Sequence, residues 1–156
     1  MKPARATQAI LSAGLTAGVL DLLAAIVINN RRGVTPLRIA QSIASGWLGT
    51  SAYQGGYKTA ALGVVSHPLI ALGAATVYYL ASRRLPLLLE RPYLSGASYG
   101  IAVYWFMQLV VLPLSAFPHK TASAWSVVLT GIIVHILCVG SPIALITRWY
   151  AQSLRD

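Results

Sequence analysis

Acidic side chains are nearly missing. Asp21, Glu90 and Asp156 are the only three in 156 residues, against twelve lysines and arginines, and charged residues make up just 10% of the chain. A soluble domain carries about a quarter charged residues to cover its surface, so a water-soluble globule is excluded. A disordered tail is excluded too, since such segments are poor in the apolar residues that abound here. Cysteine occurs once, at Cys138 within an apolar stretch, so no intramolecular disulfide can form and the residue is read as a small hydrophobe. Familiar catalytic signatures are also absent: there is no HExxH, no CxxC, no glycine-rich phosphate loop and no GxSxG. Ser66-His67 and Ser115 with His119 lack a paired carboxylate, which leaves hydrolysis without a sequence basis and favours a non-enzymatic role.

Hydrocarbon fills the space those groups leave. Hydrophobic residues are 56% of the chain, and the mean hydropathy is +0.67. At about 20 residues per crossing, four apolar runs qualify as spans: 9–28, 57–82, 94–117 and 122–146. The first follows a basic N-terminus, as a signal peptide would. It is too long for one, however, contains Asp21, and ends in Asn29-Asn30-Arg31-Arg32, so it reads as a retained anchor. Between the first two runs, 36–50 has a different pattern. Thr35 stands as N-cap with Pro36 at the first helical position. Ile39, Ala40, Ile43, Ala44, Trp47 and Leu48 then recur at helical spacing opposite Gln41, Ser42, Ser45 and Gly49. That predicts an amphipathic helix lying in the membrane interface, with a re-entrant segment as the competing geometry. The expected fold is therefore an all-α membrane protein, a single domain of four transmembrane helices plus one interfacial helix.

The net charge of +9 does not mark a nucleic-acid binder, because the basic residues sit in twos and threes between apolar runs rather than along a face. Such positions suit lipid headgroups and set orientation. With the N-terminus inside, the inner side holds seven (Lys2, Arg5, Arg83, Arg84, Arg91, Arg148 and Arg155). The outer side holds five (Arg31, Arg32, Arg38, Lys58 and Lys120), which favours N-in, C-in. Trp125 and Trp149-Tyr150 stand where interfacial aromatic belts belong. Pro68, Pro113 and Pro142 predict kinks rather than breaks, since neighbouring groups can satisfy a freed carbonyl inside a membrane.

Helices in lipid associate by close packing, so small residues mark their seams. On each span the main polar side chain falls on the small-residue stripe. The four stripes are Gly14, Gly18, Asp21, Ala25; Ala60, Gly63, His67, Ala71, Ala74; Ala97, Gly100, Tyr104, Gln108; and Gly131, His135, Cys138, Pro142. The coincidence predicts a four-helix bundle with Asp21, His67, Tyr104, Gln108 and His135 inside. Gly14, Gly18, Gly63, Gly100 and Gly131 are its packing positions. At about 1.5 Å rise per residue, the polar groups fall at compatible depths near the midplane. An ionised Asp at a helix centre costs roughly 2.5–3.5 kcal/mol, so Asp21 needs a partner, and His67 and His135 are the candidates. One reading is a proton-sensitive interior that passes protons or ions or responds to pH. A second is an assembly subunit whose small-residue stripes bind a partner helix while the polar groups only fix register; the Gly14–Gly18 face is also the candidate seam for oligomerisation. A third is a b-type haem or quinone redox protein using the two histidines. An Asp21–His67–His135 metal site has suitable ligand types but no spacing signature, so no cofactor is expected.

From Ala60 to Tyr150 the chain resembles a family. The run Gly63-Val-Val-Ser-His67, then Tyr78-Tyr79, Pro86, Gly96 and Gly100, followed by Leu112-Pro113-Leu114 and His135, is similar to the YagU-like bacterial inner-membrane proteins. The resemblance implies a helical protein of the bacterial inner membrane and directs attention to His67 and His135, while supplying no substrate. Members of that family carry an acidic residue about two turns beyond the last-helix His, where this chain has Ile143 and Ala144.

Overall fold

A computed structural model describes residues 3–118 and 124–152, with side chains from Arg5 onward. Among them the chain forms six α-helical elements, α1 (Pro3–Asn30), α2 (Pro36–Leu48), α3 (Gly56–Ser82), α4 (Leu87–Glu90), α5 (Pro92–Leu114) and α6 (Trp125–Gln152), with a 3-10 helix, Gly49–Gln54, joining α2 to α3. Helices α1, α3, α5 and α6 are long and apolar enough to cross a bilayer; α2, at 13 residues, is not. The tight connection expected at Pro118-His119-Lys120 and the expected start of the last span at Ala122 fall largely outside the described residues. The structured span begins at Trp125 and runs past the expected end at Ile146 to Gln152.

The long helices run antiparallel. Gly14 and Gly18 of α1 lie against Leu72, Pro68 and Ala71 of α3, while Gly96 and Gly100 of α5 lie against 135–144 of α6. Helix α1 also meets α6, where the Ser12 and Tyr150 hydroxyls are 3.1 Å apart. Tyr99 of α5 donates to the Ala74 carbonyl of α3 at 2.7 Å. The core is built mainly from small side chains (Ala13, Ala17, Ala75 and Ala144), with Tyr78, Val139 and Ile143 filling between them. Large apolar side chains point outward instead: Val19, Leu23, Leu69, Leu109 and Leu137 are all exposed. Small inside and bulky outside is the arrangement expected where lipid is the solvent and backbones gain by close approach. The Gly14–Gly18 face is occupied by α3 of the same chain, so it is not an open seam for oligomerisation.

The expected capping of α2 is present: Thr35 accepts from the Arg38 amide at 3.3 Å with Pro36 in the first turn. Its buried face differs from the amphipathic expectation. Gln41 and Ser45 are buried with Ile39, Ala40 and Ala44, while Trp47 and Leu48 are exposed. The cause is Gly63. The α2 backbone at Ala40 and Ala44 crosses α3 so closely at this glycine that a Cβ there would overlap the Ala40 carbonyl. Small residues therefore define the contact whatever their polarity. Burial leaves neither polar side chain unpaired: Gln41 Nε2 donates to Gly56 O at 3.1 Å and Ser45 Oγ to Ser42 O at 2.7 Å. Trp47 folds back so that its indole N–H donates to Ser66 Oγ at 3.1 Å. The Ala116 amide beyond α5 donates to Gly46 O at 2.9 Å, which puts α2 and the end of α5 at the same end of the molecule.

Two of the three expected proline distortions take a specific form. Residues Met107–Val111 and His135–Gly140 are π-helical turns, each just ahead of Pro113 or Pro142. The Leu112 and Ser141 amides reach back five residues, to Met107 O and Ile136 O. Proline has no N–H and its ring crowds the carbonyl four residues earlier; widening the preceding turn relieves that crowding without ending the helix. At Pro68 the helix stays α-helical throughout. The aromatic belt splits as well. Trp125 and Trp149 are exposed, whereas Tyr78 and Tyr79 near the end of α3 are buried.

Candidate functional site

Asp21, the one acidic residue within a described span, faces inward from α1 and meets two imidazoles from two other helices. Its Oδ2 is 3.2 Å from His67 Nε2 on α3, and its Oδ1 is 4.0 Å from His135 Nδ1 on α6. All three side chains are mostly covered, at 14–20% exposure. Helix packing creates the meeting. At Gly18, one turn before Asp21, a Cβ would crowd Pro68 and Ala71 at 3.1–3.2 Å, so the missing side chain lets α3 come close enough for His67 to reach the carboxylate.

The two histidines are held differently. His135 opens the π turn, and its Nδ1 is 2.9 Å from Gly131 O. A carbonyl can only accept, so Nδ1 carries the proton and Nε2 is the free lone pair of the neutral ring. His67 Nε2 lies close to Asp21 but off the direction a ring N–H must point. This buried nitrogen therefore has a charge partner at 3.2 Å and no formed hydrogen bond. A small ring rotation would make one. Tyr104, buried on α5, sets its ring edge-on to His135 at 5.3 Å between centroids. Gly131 gives that ring room, since a Cβ there would strike it.

Gln108 does not join the cluster. It is exposed, in the π turn that starts at Met107. The expectation assumed unbroken α-helical phase from Gly100 and Tyr104, and the widened turn changes that phase just before Gln108. Gly63, expected on the same stripe as His67, serves α2 instead. Cys138 stands three residues after His135 on the same stripe and is half-buried. The serines beside histidines in sequence are used locally. Ser66 donates to Leu62 O and Ser115 to Leu112 O, while His119 lies outside the described residues.

Among the described residues no three His, Cys, Asp or Glu side chains are arranged to hold a metal ion. Axial haem ligation fits poorly as well. The Asp21 carboxylate stands between the two rings, 3.2 Å from one and 4.0 Å from the other, where a porphyrin would need open space. The redox reading, haem or quinone, finds no support in these residues. No known family, no curated protein and no solved structure matches the chain. The molecule is a small polytopic membrane protein built entirely of helices and turns, with one polar cluster shared by three of its spans.

Proposed function

We propose that this protein is a non-enzymatic membrane component that holds and passes protons at Asp21, His67 and His135. The carrying observation is the carboxylate bridging two imidazoles from separate helices. Ionisable groups within a membrane are costly and are retained at ion and proton pathways. Each imidazole has one ring nitrogen that can donate and one that can accept, so two rings around one carboxylate place exchangeable protons on three helices. The Tyr104 ring on α5 packs edge-on against His135 and adds no second carboxylate. His67 Nε2, 3.2 Å from Oδ2, is the natural point for a proton to hop, while His135 Nδ1–H, held on Gly131 O, turns a positive ring edge toward Oδ1 from the other side of Asp21.

The basic flanks and the YagU-like motifs support a place in the bacterial inner membrane with both ends inside. The family assignment itself is part of this proposal and rests on the short motifs from Gly63 to His135.

The test is proton flux in liposomes carrying an internal pH dye and a potassium diffusion potential. Wild type should collapse an imposed gradient faster than empty liposomes. Asp21→Asn, which keeps shape and removes charge, and His67→Gln should each reduce the rate to that of empty liposomes. Gln108→Leu, outside the cluster, should match wild type. Equal flux for wild type and Asp21→Asn would overturn the proposal.

A further inference from the structure

A second site stands at the far end from α2, where α3 finishes and α5 begins. A groove of about 410 Å³ runs between the last turns of α3, helix α4 and the first turns of α5, within the roughly 300–1,000 Å³ of small-ligand sites. Its walls include Ala81, Leu87, Leu94 and Ala102, with the rings of Tyr78 and Tyr99 beneath. The floor offers few unused polar groups. Tyr78 OH donates to Leu88 O at 3.0 Å and lies 2.9 Å from Ser95 Oγ, and Tyr99 OH donates to Ala74 O. The two rings pack edge-on at 5.0 Å, closing the floor as an aromatic surface. Such a groove receives hydrocarbon, not a sugar or a nucleotide.

Its mouth is of the opposite character. Arg91, exposed at the α4–α5 junction, lines the rim. Arg83 and Arg84 occupy the turn entering α4, and Arg148 reaches from α6 to the Glu90 carbonyl at 3.4 Å. Four arginines thus gather at this end, with Glu90 the one acidic residue described there.

From this juxtaposition we infer that the groove binds an anionic glycerophospholipid, one acyl chain along the Tyr78–Tyr99 floor and the phosphate at Arg91. Basic pockets between spans at a membrane surface suit anionic headgroups, and guanidinium pairs with phosphate through two parallel N–H donors. Charge complementarity selects this occupant over a zwitterionic lipid, and the apolar groove beside the arginine selects a lipid over free phosphate. The proposal is independent of the Asp21 cluster, which no groove residue touches.

The test is lipid binding by the full-length chain in mild detergent, read by native mass spectrometry with phosphatidylglycerol, phosphatidylcholine and inorganic phosphate as probes. Phosphatidylglycerol should bind more tightly than phosphatidylcholine by about five-fold per engaged arginine, and inorganic phosphate should not compete. Arg91→Gln should erase that preference, Arg91→Lys should retain part of it, and Arg31→Gln at the opposite end should leave it intact. Ala102→Trp, filling the groove from an exposed position, should weaken both lipids while the helical circular dichroism stays native. Equal binding of the two lipids by wild type would overturn the proposal. So would Arg91→Gln behaving like Arg31→Gln, effective competition by phosphate, or Ala102→Trp dissociating a dimer in place of a lipid.

Discussion

Each close helix contact turns on one or two residues. Gly63 and Gly73 make the contrast sharp, since both are glycines within α3. A methyl at Gly63 would collide with the Ala40 carbonyl, while at Gly73 it would meet open space. Overpacking a tight contact costs about 1–3 kcal/mol, so Gly63→Ala should lower the thermal unfolding midpoint in detergent and Gly73→Ala should leave it unchanged or slightly raised. A matching pair of melting curves checks this. Asp21 and the histidines were legible as residues, because a lone carboxylate in an apolar run must find a partner and only two histidines lie in the spans. Gln108 was misread because its place on a stripe depended on helical phase, and phase is altered by a proline five residues downstream.

Helix α2 shows why polarity is a poor guide to the buried face in lipid. In water its Ile39, Ala40, Ile43, Ala44, Trp47 and Leu48 stripe would turn inward. Here Gln41 and Ser45 go in while Trp47 and Leu48 stay out, because apolar bulk gains nothing by leaving lipid whereas close backbone approach does. A counterintuitive outcome follows for substitutions in this helix. Ser45→Leu, more hydrophobic, should destabilise the protein by about 1–3 kcal/mol through overpacking, and Leu48→Ala should cost less. Denaturant titration in micelles, following Trp47 emission, reads both. Helix α6 carries a further expectation. Pro142→Ala restores an N–H and removes the reason for the π turn His135–Gly140. The turn should tighten toward α-helical phase and move His135 relative to Asp21, seen as a changed ¹⁵N shift of the His135 ring without loss of helical content.

Across the whole molecule, antiparallel packing sorts the charges. Arg31, Arg32 and Arg38 lie at the end shared by α2 and the Ser115–Ala116 turn, and Arg83, Arg84, Arg91 and Arg148 lie at the other. In a Cys138→Ser background, single cysteines at positions 32 and 116 should react with a membrane-impermeant thiol reagent from one side. A cysteine at position 84 should react only from the opposite side. Labelling at 32 and 84 from the same side would contradict an odd number of crossings between them.

Four crossings, a capped helix between the first two, and an inward-facing Asp–His set follow from the order of residues alone. Lipid imposes those features segment by segment: about 20 apolar residues per span, no free backbone polar group, and no unpartnered charge. Other features were decided only when the helices packed. Gly63 went to α2 rather than to the His67 stripe, Gln41 and Ser45 turned inward, Gln108 was released to the surface, and Arg91 came to the rim of an apolar groove. Each depends on which small surface of one helix meets which of another. That choice is made by shape at van der Waals distance, and a pattern along one strand of sequence does not contain its partner's shape.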